Sequence, residues 1–345
     1  ERLSGSIRAG VGFGSDQGVI LSLGIQQDNV FGTGDRAEFV ANSDDSDTLY
    51  RISYLERNHT MSGIDRRWAL SFRDRDADEA DLADYGLETA TASYGYRIPV
   101  TSNDRIGVDL EFDDVTLKFN NPTTLQEEFE QNNGSGNQVI RTNLSWTRDT
   151  RNRAIFPTQG ARQQTRLEAS IPGASDLEYY RLTYEQSRYV GLTERFTLVL
   201  DGSLAYGDAF GDTDRLPFYE NFYAGGISTL RGFERNSLGP RDENDDPTGG
   251  NFRALGRAEV RFPIAQDDEG NNLRMSTFID AGQVWDREEP GDDGDISVSD
   301  LRYAAGLGLV YYSPIGPLTM SVARPLNDKA EDETQFFQFT IGAFF

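Results

Sequence analysis

A two-residue alternation of side-chain type runs through almost the whole chain, and it is the feature that most restricts the fold. It is clearest in FRALGRAEVRF, where Ala254, Ala258 and Val260 share one face and Arg257 and Glu259 share the other. Successive side chains of a β-strand point to opposite faces, so this period predicts strands. Breaks containing Gly, Pro, Asp or Asn separate sixteen such segments. The predicted strands are 3–14, 18–28, 34–43, 48–58, 65–74, 86–98, 103–119, 138–148, 161–171, 177–190, 194–207, 250–263, 272–284, 301–313, 316–325 and 334–345.

The length of these segments favours a membrane barrel. One segment alone fits a soluble sandwich equally well, but sandwich strands average about five or six residues, whereas a tilted membrane-spanning strand needs roughly nine to eleven. No apolar run is long enough for a transmembrane helix. The sequence therefore predicts an all-β fold, a transmembrane antiparallel β-barrel of about 16 strands, with residues 1–345 forming a single domain.

The connections between the strands differ on the two sides. Odd-numbered connections are long or acidic, and about 35 of the 57 acidic residues fall in them. Even-numbered connections are usually tight turns. Long external loops and short periplasmic turns are typical of bacterial outer-membrane barrels, which predicts integral insertion in the outer membrane of a Gram-negative bacterium. Solvation is one explanation of the acidic rim; the alternatives are bridging by divalent cations to lipopolysaccharide phosphates and a saline habitat of the source.

Composition excludes several classes of function. The formal charge of −24 argues against binding to nucleic acid, because phosphate contacts need clustered cations. Cysteine is absent and His59 is the single histidine, which argues against thiolate or histidine metal sites. We therefore expect no metal, no cofactor and no enzymatic activity.

The eleventh connection, residues 208–249, contains the most unusual segment of the chain. Its FYAGGISTLRGF stretch holds Arg231 between an apolar residue and a glycine. Arginine carries five donors in a fixed fork, which suits a pair of carboxylates. This stretch looks built to place Arg231 against another part of the protein.

Several stretches together resemble the BamA-type outer-membrane protein assembly factors, and they extend from one end of the chain to the other. They are residues 1–34, 156–162 (FPTQGAR), 218–240, 275–286, 313–326 and the aromatic C-terminus QFFQFTIGAFF.

The resemblance implies an external loop that folds into the lumen. In this family an RGF-type tripeptide at the loop tip meets acidic residues of the inner wall. By position, Arg231, Gly232 and Phe233 are the tripeptide, and Glu259 and Asp280 are the acids. The alternation independently places both acids on the lumen face, because a carboxylate facing lipid is costly near the midplane.

The resemblance also implies that the chain folds and inserts β-barrel proteins through a lateral seam between its first and last strands. Glycines dilute the first hairpin and weaken strand interiors, although they also relieve crowding at bends. The residues predicted to form the seam are Gly5, Gly10, Gly12, Gly14, Phe337, Phe339, Ile341, Gly342 and Phe345.

The partners that the resemblance implies are unfolded outer-membrane β-barrel proteins, outer-membrane lipids and lipopolysaccharide. Assembly-machine lipoproteins are further partners, reached through POTRA domains that precede the barrel in this family. Those domains are absent from residues 1–345, so we expect a barrel fragment. A passive porin is the alternative from another class, and a TamA-like or two-partner secretion barrel is the alternative within the superfamily.

Overall fold

The computed structural model describes residues 4–76, 85–265, 273–287, 296–313 and 316–342. Sixteen strands and one α-helix account for most of this part of the chain. The strands are β1 Gly5–Gly14, β2 Gly18–Val30, β3 Asp35–Ser43, β4 Asp47–Glu56, β5 Asp65–Asp76, β6 Tyr85–Pro99, β7 Asp104–Phe119, β8 Gly136–Asp149, β9 Gly160–Ser170, β10 Tyr179–Gly191, β11 Thr197–Ala209, β12 Phe252–Ala265, β13 Leu273–Trp285, β14 Arg302–Ser313, β15 Gly316–Pro325 and β16 Phe337–Ile341.

The strands form one closed antiparallel barrel. Each strand pairs with the next along the chain, and β1 pairs with β16 to complete the wall. Closure gives each edge strand a partner, which a spanning sheet needs because lipid offers no hydrogen-bond partners, although β1 and β16 pair over only part of their described length. The prediction of an all-β transmembrane barrel of about 16 strands is confirmed.

The alternation separates a lipid-facing surface from the lumen. In β2, Leu21, Leu23 and Ile25 expose 51%, 36% and 42% of their surface on the outside of the barrel, while Ser22 and Gly24 occupy the intervening positions. Apolar side chains on the outer face of a barrel contact the acyl chains of the bilayer. The period-two pattern of the sequence therefore corresponds to the two sides of the wall.

The last strand is shorter than the predicted segment 334–345. Residues just before it pair with the eleventh connection instead: Phe233 forms a β-bridge with Thr334. At its other end Gly342 has a φ of 140°, which takes the backbone out of the strand conformation. Residues 343–345 lie outside the described part of the chain.

One helix, α1 Thr124–Asn133, lies within the connection 119–138, which the sequence pattern indicated to be an acidic loop. A capping box starts it, in which the Thr123 hydroxyl accepts from the Gln126 amide and the Gln126 side chain accepts from the Thr123 amide. Phe129 packs into the barrel, with Leu125 beside it. Within the described residues, no helix has the length and apolar character needed to span a membrane.

Two apolar clusters lie inside the barrel, and the eleventh connection contributes to both. The first lies at the end of the barrel that carries the odd-numbered connections, where it joins α1 to the wall, and it includes Tyr85, Phe129 and Phe218. The second surrounds Leu230 and Phe233, which are fully buried. Together these clusters hold the connection within the lumen.

Candidate functional site

The connection between β11 and β12 turns inward, and its tip lies against the inner wall. Glycines permit the path: Gly225 and Gly232 have φ values of 112° and 92°, which L-residues rarely adopt. At Gly232 a β-carbon would lie 3.2 Å from that of Ala323 and 3.3 Å from that of Ala304. A glycine is therefore needed for the tip to approach β14 and β15 so closely.

Arg231 lies at the centre of a buried ion-pair cluster. Its Nε is 2.7 Å from Asp280 Oδ2, its Nη2 is 2.8 Å from Asp280 Oδ1, and its Nη1 is 3.2 Å from Glu259 Oε2. Its guanidinium carbon lies 3.2 Å from the ring centroid of Phe278. Bidentate charge-assisted bonds fix both the position and the orientation of the guanidinium. The structure thus brings together the three charged residues that the sequence singled out.

Two further arginines complete this cluster. Arg257 donates to Asp280 Oδ1 at 3.1 Å, and Arg261 donates to Glu259 Oε1. Each carboxylate therefore has two guanidinium partners, which offsets the cost of burying charge. Sequence reasoning placed both arginines on the face of Glu259 but assigned them no role, and it missed Phe278, which shares the face of Asp280 two residues away.

The backbone of the tripeptide binds the last strand through one side chain. Gln338 accepts from the Gly232 amide at 3.2 Å and donates to the Phe233 carbonyl at 2.8 Å. Gln338 is fully buried. Its position between Phe337 and Phe339 indicates an inward polar residue, and this signal was available in the sequence. Its partner was not, because the path of the loop cannot be read from strand periodicity.

The same loop also contacts the turn between β1 and β2. Asp16 accepts from the Ile227 amide at 3.2 Å through its side chain, and Arg235 Nη1 donates to the Asp16 carbonyl at 2.7 Å. The eleventh connection therefore touches the last strand and the turn that follows the first strand.

Strands β1 and β16 meet along a very short seam. Among the described residues only Phe13 with Ile341 and Gly14 with Thr340 form strand pairs, next to a bond from the Ser15 amide to the Phe339 carbonyl. By contrast, β1 pairs with β2 over ten residue pairs. The paired part lies near the β1–β2 turn, on the side of the odd-numbered connections. Among the described residues, β1 and β16 share fewer residue pairs than any other two neighbouring strands, and none of these pairs lies toward the side of the even-numbered connections.

Glycines let the two strands approach each other at this seam. A β-carbon at Gly12 would lie 2.6 Å from the Ile341 carbonyl oxygen, and one at Gly342 would lie 2.5 Å from the Gly12 α-carbon. Larger residues at either position would push the strands apart. Of the other predicted glycines, Gly5 and Gly10 lie on β1 before its paired part, and Gly14 is one of the paired residues.

The aromatic residues predicted at the seam have different positions. Phe337 and Ile341 expose 44% and 37% of their surface on the outside of the barrel. Phe339 stacks on Phe337 and lies 5.7 Å from Phe13 across the seam, measured between ring centroids. Phe345 lies outside the described residues.

Fold, lipid-facing surface and internal loop together define an outer-membrane β-barrel with one of its own external connections fixed in its lumen. A sequence profile described as the Omp85 superfamily domain matches residues 29–345. The chain therefore belongs to the Omp85 superfamily, and it is an integral outer-membrane protein of a Gram-negative bacterium.

Individual relatives agree with this assignment. The chain is 31% identical, over its full length and 47% of the relative, to the outer membrane protein assembly factor BamA of Neisseria meningitidis serogroup B. The crystal structure of BamA from Haemophilus ducreyi lacking POTRA domains 1–3 superposes with a TM-score of 0.91 at 29% identity, over 99% of this chain and 70% of that one. CdiB from Acinetobacter baumannii shares the fold alone, with a TM-score of 0.65 at 14% identity over 98% of this chain and 59% of that one.

The resemblance to BamA-type assembly factors that the sequence indicated is confirmed. The chain spans about half the length of the curated relatives that it matches.

Proposed function

We propose that this chain assembles β-barrel proteins into the outer membrane by offering the edge strands of its seam to an incoming strand. The observation that carries this proposal is the seam itself, which has two strand pairs among the described residues. The names of its relatives support the same function.

The physical basis is β-augmentation. An open seam presents unpaired backbone N–H and C=O groups, and an extended segment that pairs with them gains a row of main-chain hydrogen bonds. In hydrocarbon those groups find no water, so the gain from pairing is large. Separating β1 from β16 breaks few bonds, which lowers the cost of exposing the edge in this barrel.

We further propose that Arg231, Gly232, Phe233, Glu259 and Asp280 anchor the loop so that it controls the seam. The charged cluster holds the tip, Gln338 connects the tip to β16, and Asp16 connects the loop to the turn that follows β1. A loop held in this way favours the closed seam. Movement of the tip removes contacts from both edges at once.

The proposed partners follow from this mechanism. They are unfolded outer-membrane β-barrel proteins as clients, outer-membrane lipids and lipopolysaccharide around the wall, and lipoproteins of an assembly machine that act through domains outside residues 1–345. Residues 1–345 act as one transmembrane domain. Binding energy between strands supplies the driving force, without enzymatic chemistry, a cofactor or nucleic acid.

Locking the seam tests the proposal, and the absence of cysteine makes a disulfide specific. Gly14→Cys with Thr340→Cys joins directly paired residues of β1 and β16; a β-carbon at Gly14 lies 3.5 Å from Thr340 Oγ1. The matched control is Ser53→Cys with Ala69→Cys, which joins paired residues of β4 and β5. The assay is insertion of a urea-unfolded barrel protein into liposomes, with and without reductant.

We expect oxidation of the seam pair to stop insertion, reductant to restore it, and the control pair to insert in both states. Full insertion through an oxidised seam contradicts the proposal. A passive porin would instead show large, stable conductance in planar bilayers and no effect on insertion.

A further inference from the structure

A second charged cluster holds the same loop at a different sector of the wall. Glu220 lies eleven residues before Arg231, and the charge relationship is reversed: here the loop carries the acid and the wall carries the arginines. Its carboxylate is 2.6 Å from Arg181 Nη1, 2.9 Å from the Tyr179 hydroxyl and 3.5 Å from Arg141 Nη1. These partners belong to β8 and β10, whereas those of Arg231 belong to β12 and β13.

The wall arginines are themselves held in place. Arg141 lies 3.2 Å from Glu111 and 2.9 Å from Asp113, and Arg181 lies 3.5 Å from Glu168. Burial raises the pKa of Glu220, but Arg181 and Arg141 outweigh that effect and hold the pKa below its ordinary value. The carboxylate is therefore ionised at neutral pH and forms charge-assisted bonds, which are stronger than neutral ones.

Apolar packing strengthens this end of the loop. Phe218, two residues before Glu220, meets Tyr85 edge to face at 4.9 Å and Phe129 of α1 at 5.3 Å between ring centroids. Aromatic pairs of this geometry add to the gain from burial. The base of the loop is thus fixed by contacts that do not involve Arg231.

The segment between the two clusters contains the bend. Gly225 and Gly226 have φ values of 112° and 90°, and a β-carbon at Gly225 would lie 2.1 Å from the Glu234 carbonyl oxygen. Only glycine fits this path, so these two residues set the bend that separates the base of the loop from its tip.

We propose that Glu220 is a second anchor of the loop, and that its attachment keeps the lumen blocked when the Arg231 anchor is released. Glu220 is a positioning residue in this role, which extends the function proposed above. A 16-stranded barrel without an internal plug leaves an aqueous channel, so seam opening with a wholly detached loop would make the outer membrane leaky. Two anchors allow the tip to leave the seam while the base stays in the lumen.

Ion conductance of the purified barrel in planar bilayers tests the two anchors. The variants are Glu220→Gln, Arg231→Gln, the double variant, and Glu185→Gln as a control that neutralises another lumen-facing carboxylate, on β10. If both anchors must release before the lumen opens, their effects on open time multiply. We expect a small increase in large openings for each single variant, the product of the two increases in the double variant, and no change for E185Q.

Two further variants distinguish loss of the Glu220 anchor from a general loss of structure. Glu220→Asp keeps the charge, so we expect it to retain most of the low conductance of the parent protein. Glu220→Gln with Arg181→Gln removes both charges and leaves no lone buried charge, so it provides a folded variant if E220Q alone does not fold. The difference in gel mobility between unheated and heated samples reports whether each barrel has folded.

Two results overturn the proposal. The first is that folded E220Q, or the E220Q/R181Q variant, has the same conductance as the corresponding protein without these substitutions, both with Arg231 in place and with Arg231→Gln. The second is an open time in E220Q alone that already equals that of the double variant. Because conductance is measured without a client protein, either result is separate from failure of the proposed assembly function.

Discussion

Replacing Arg231 by alanine removes the centre of the ion-pair cluster at the tip of the loop. The wild-type side chain makes two bonds to Asp280, at 2.7 and 2.8 Å, and one to Glu259 at 3.2 Å. Breaking a buried pair costs roughly 3–5 kcal/mol when the remaining charge has no partner. Here Arg257 and Arg261 still neutralise the two acids, so we expect the lower end, about 3 kcal/mol.

That free energy predicts a large change in loop opening. At 1.36 kcal/mol per tenfold change, about 3 kcal/mol raises the population of the released tip by roughly 150-fold. Leu230, Phe233 and Leu238 are fully buried in the closed loop, so they become accessible only when the tip leaves the wall. Cleavage at these residues therefore reports the released population when opening is fast relative to cleavage.

Thermolysin is suitable because it cuts at apolar residues and its sites survive the substitution. The measurement is the initial rate of loop cleavage in folded barrels in detergent. Arg231→Lys keeps the charge but loses the fork, so we expect an intermediate rate. Arg162→Ala is the matched control, since Arg162 is a lumen-wall arginine that bonds to Gln164 and, within the described part of the chain, makes no bond to the loop. Equal cleavage rates in R231A, R162A and the parent protein would refute the reasoning.

Three further predictions concern the seam and the base of the loop. Gln338→Leu removes both bonds to the tripeptide backbone, and we expect about thirtyfold faster loop cleavage, because each neutral bond contributes roughly 1 kcal/mol; the Phe233 carbonyl still accepts from the Gly226 amide. Gly342→Ala places a β-carbon 2.5 Å from the Gly12 α-carbon at a φ of 140°, so hydrogen exchange of the Phe13 and Ser15 amides should accelerate while that of β7 stays unchanged. The pKa of the Glu220 carboxyl is lowered, so the stabilisation that it gives to the attached loop is fully present above the ordinary glutamate pKa of about 4.3 and is lost only as the pH falls through the lower folded value. We therefore expect bilayer conductance to be constant from about pH 8 to pH 5. A rise in conductance within that range would contradict the assignment.

Periodicity was sufficient to predict the wall, because each strand has one face in lipid and one in water and the chemistry of every second residue reflects this. It was insufficient for α1, where ten residues carry only Leu125 and Phe129 as apolar contacts in an otherwise polar segment. The predicted ends of the last strand, 334 and 345, were wrong for a related reason. Residues 334–336 alternate like a strand, but Thr334 pairs with Phe233 of the loop instead.

The contacts of the candidate site divide in the same way. Strand alternation placed Glu259 and Asp280 in the lumen, and the family resemblance supplied Arg231 as their partner. The sequence did not predict roles for Gln338 and Glu220, because their partners lie on elements far away in the sequence. Those elements meet only where the loop crosses the lumen. The sequence shows Gln338 between two phenylalanines and Glu220 within the aromatic segment FYENFY, but the partner of each depends on the path of the loop.

The geometry of the loop implies that the seam and the lumen are energetically linked. Among the described residues, direct attachment at the seam comprises two strand pairs, the bond from the Ser15 amide to the Phe339 carbonyl and the bond from the Phe339 amide to Ser15 Oγ. The loop adds two bonds at Asp16 on one side and two at Gln338 on the other. Since each such bond contributes a similar net free energy of about 1 kcal/mol, the loop holds the two edges about as strongly as they hold each other. Releasing the tip therefore also removes these four bonds from the two sides of the seam, so the free energy of opening the seam depends on whether the loop is in place.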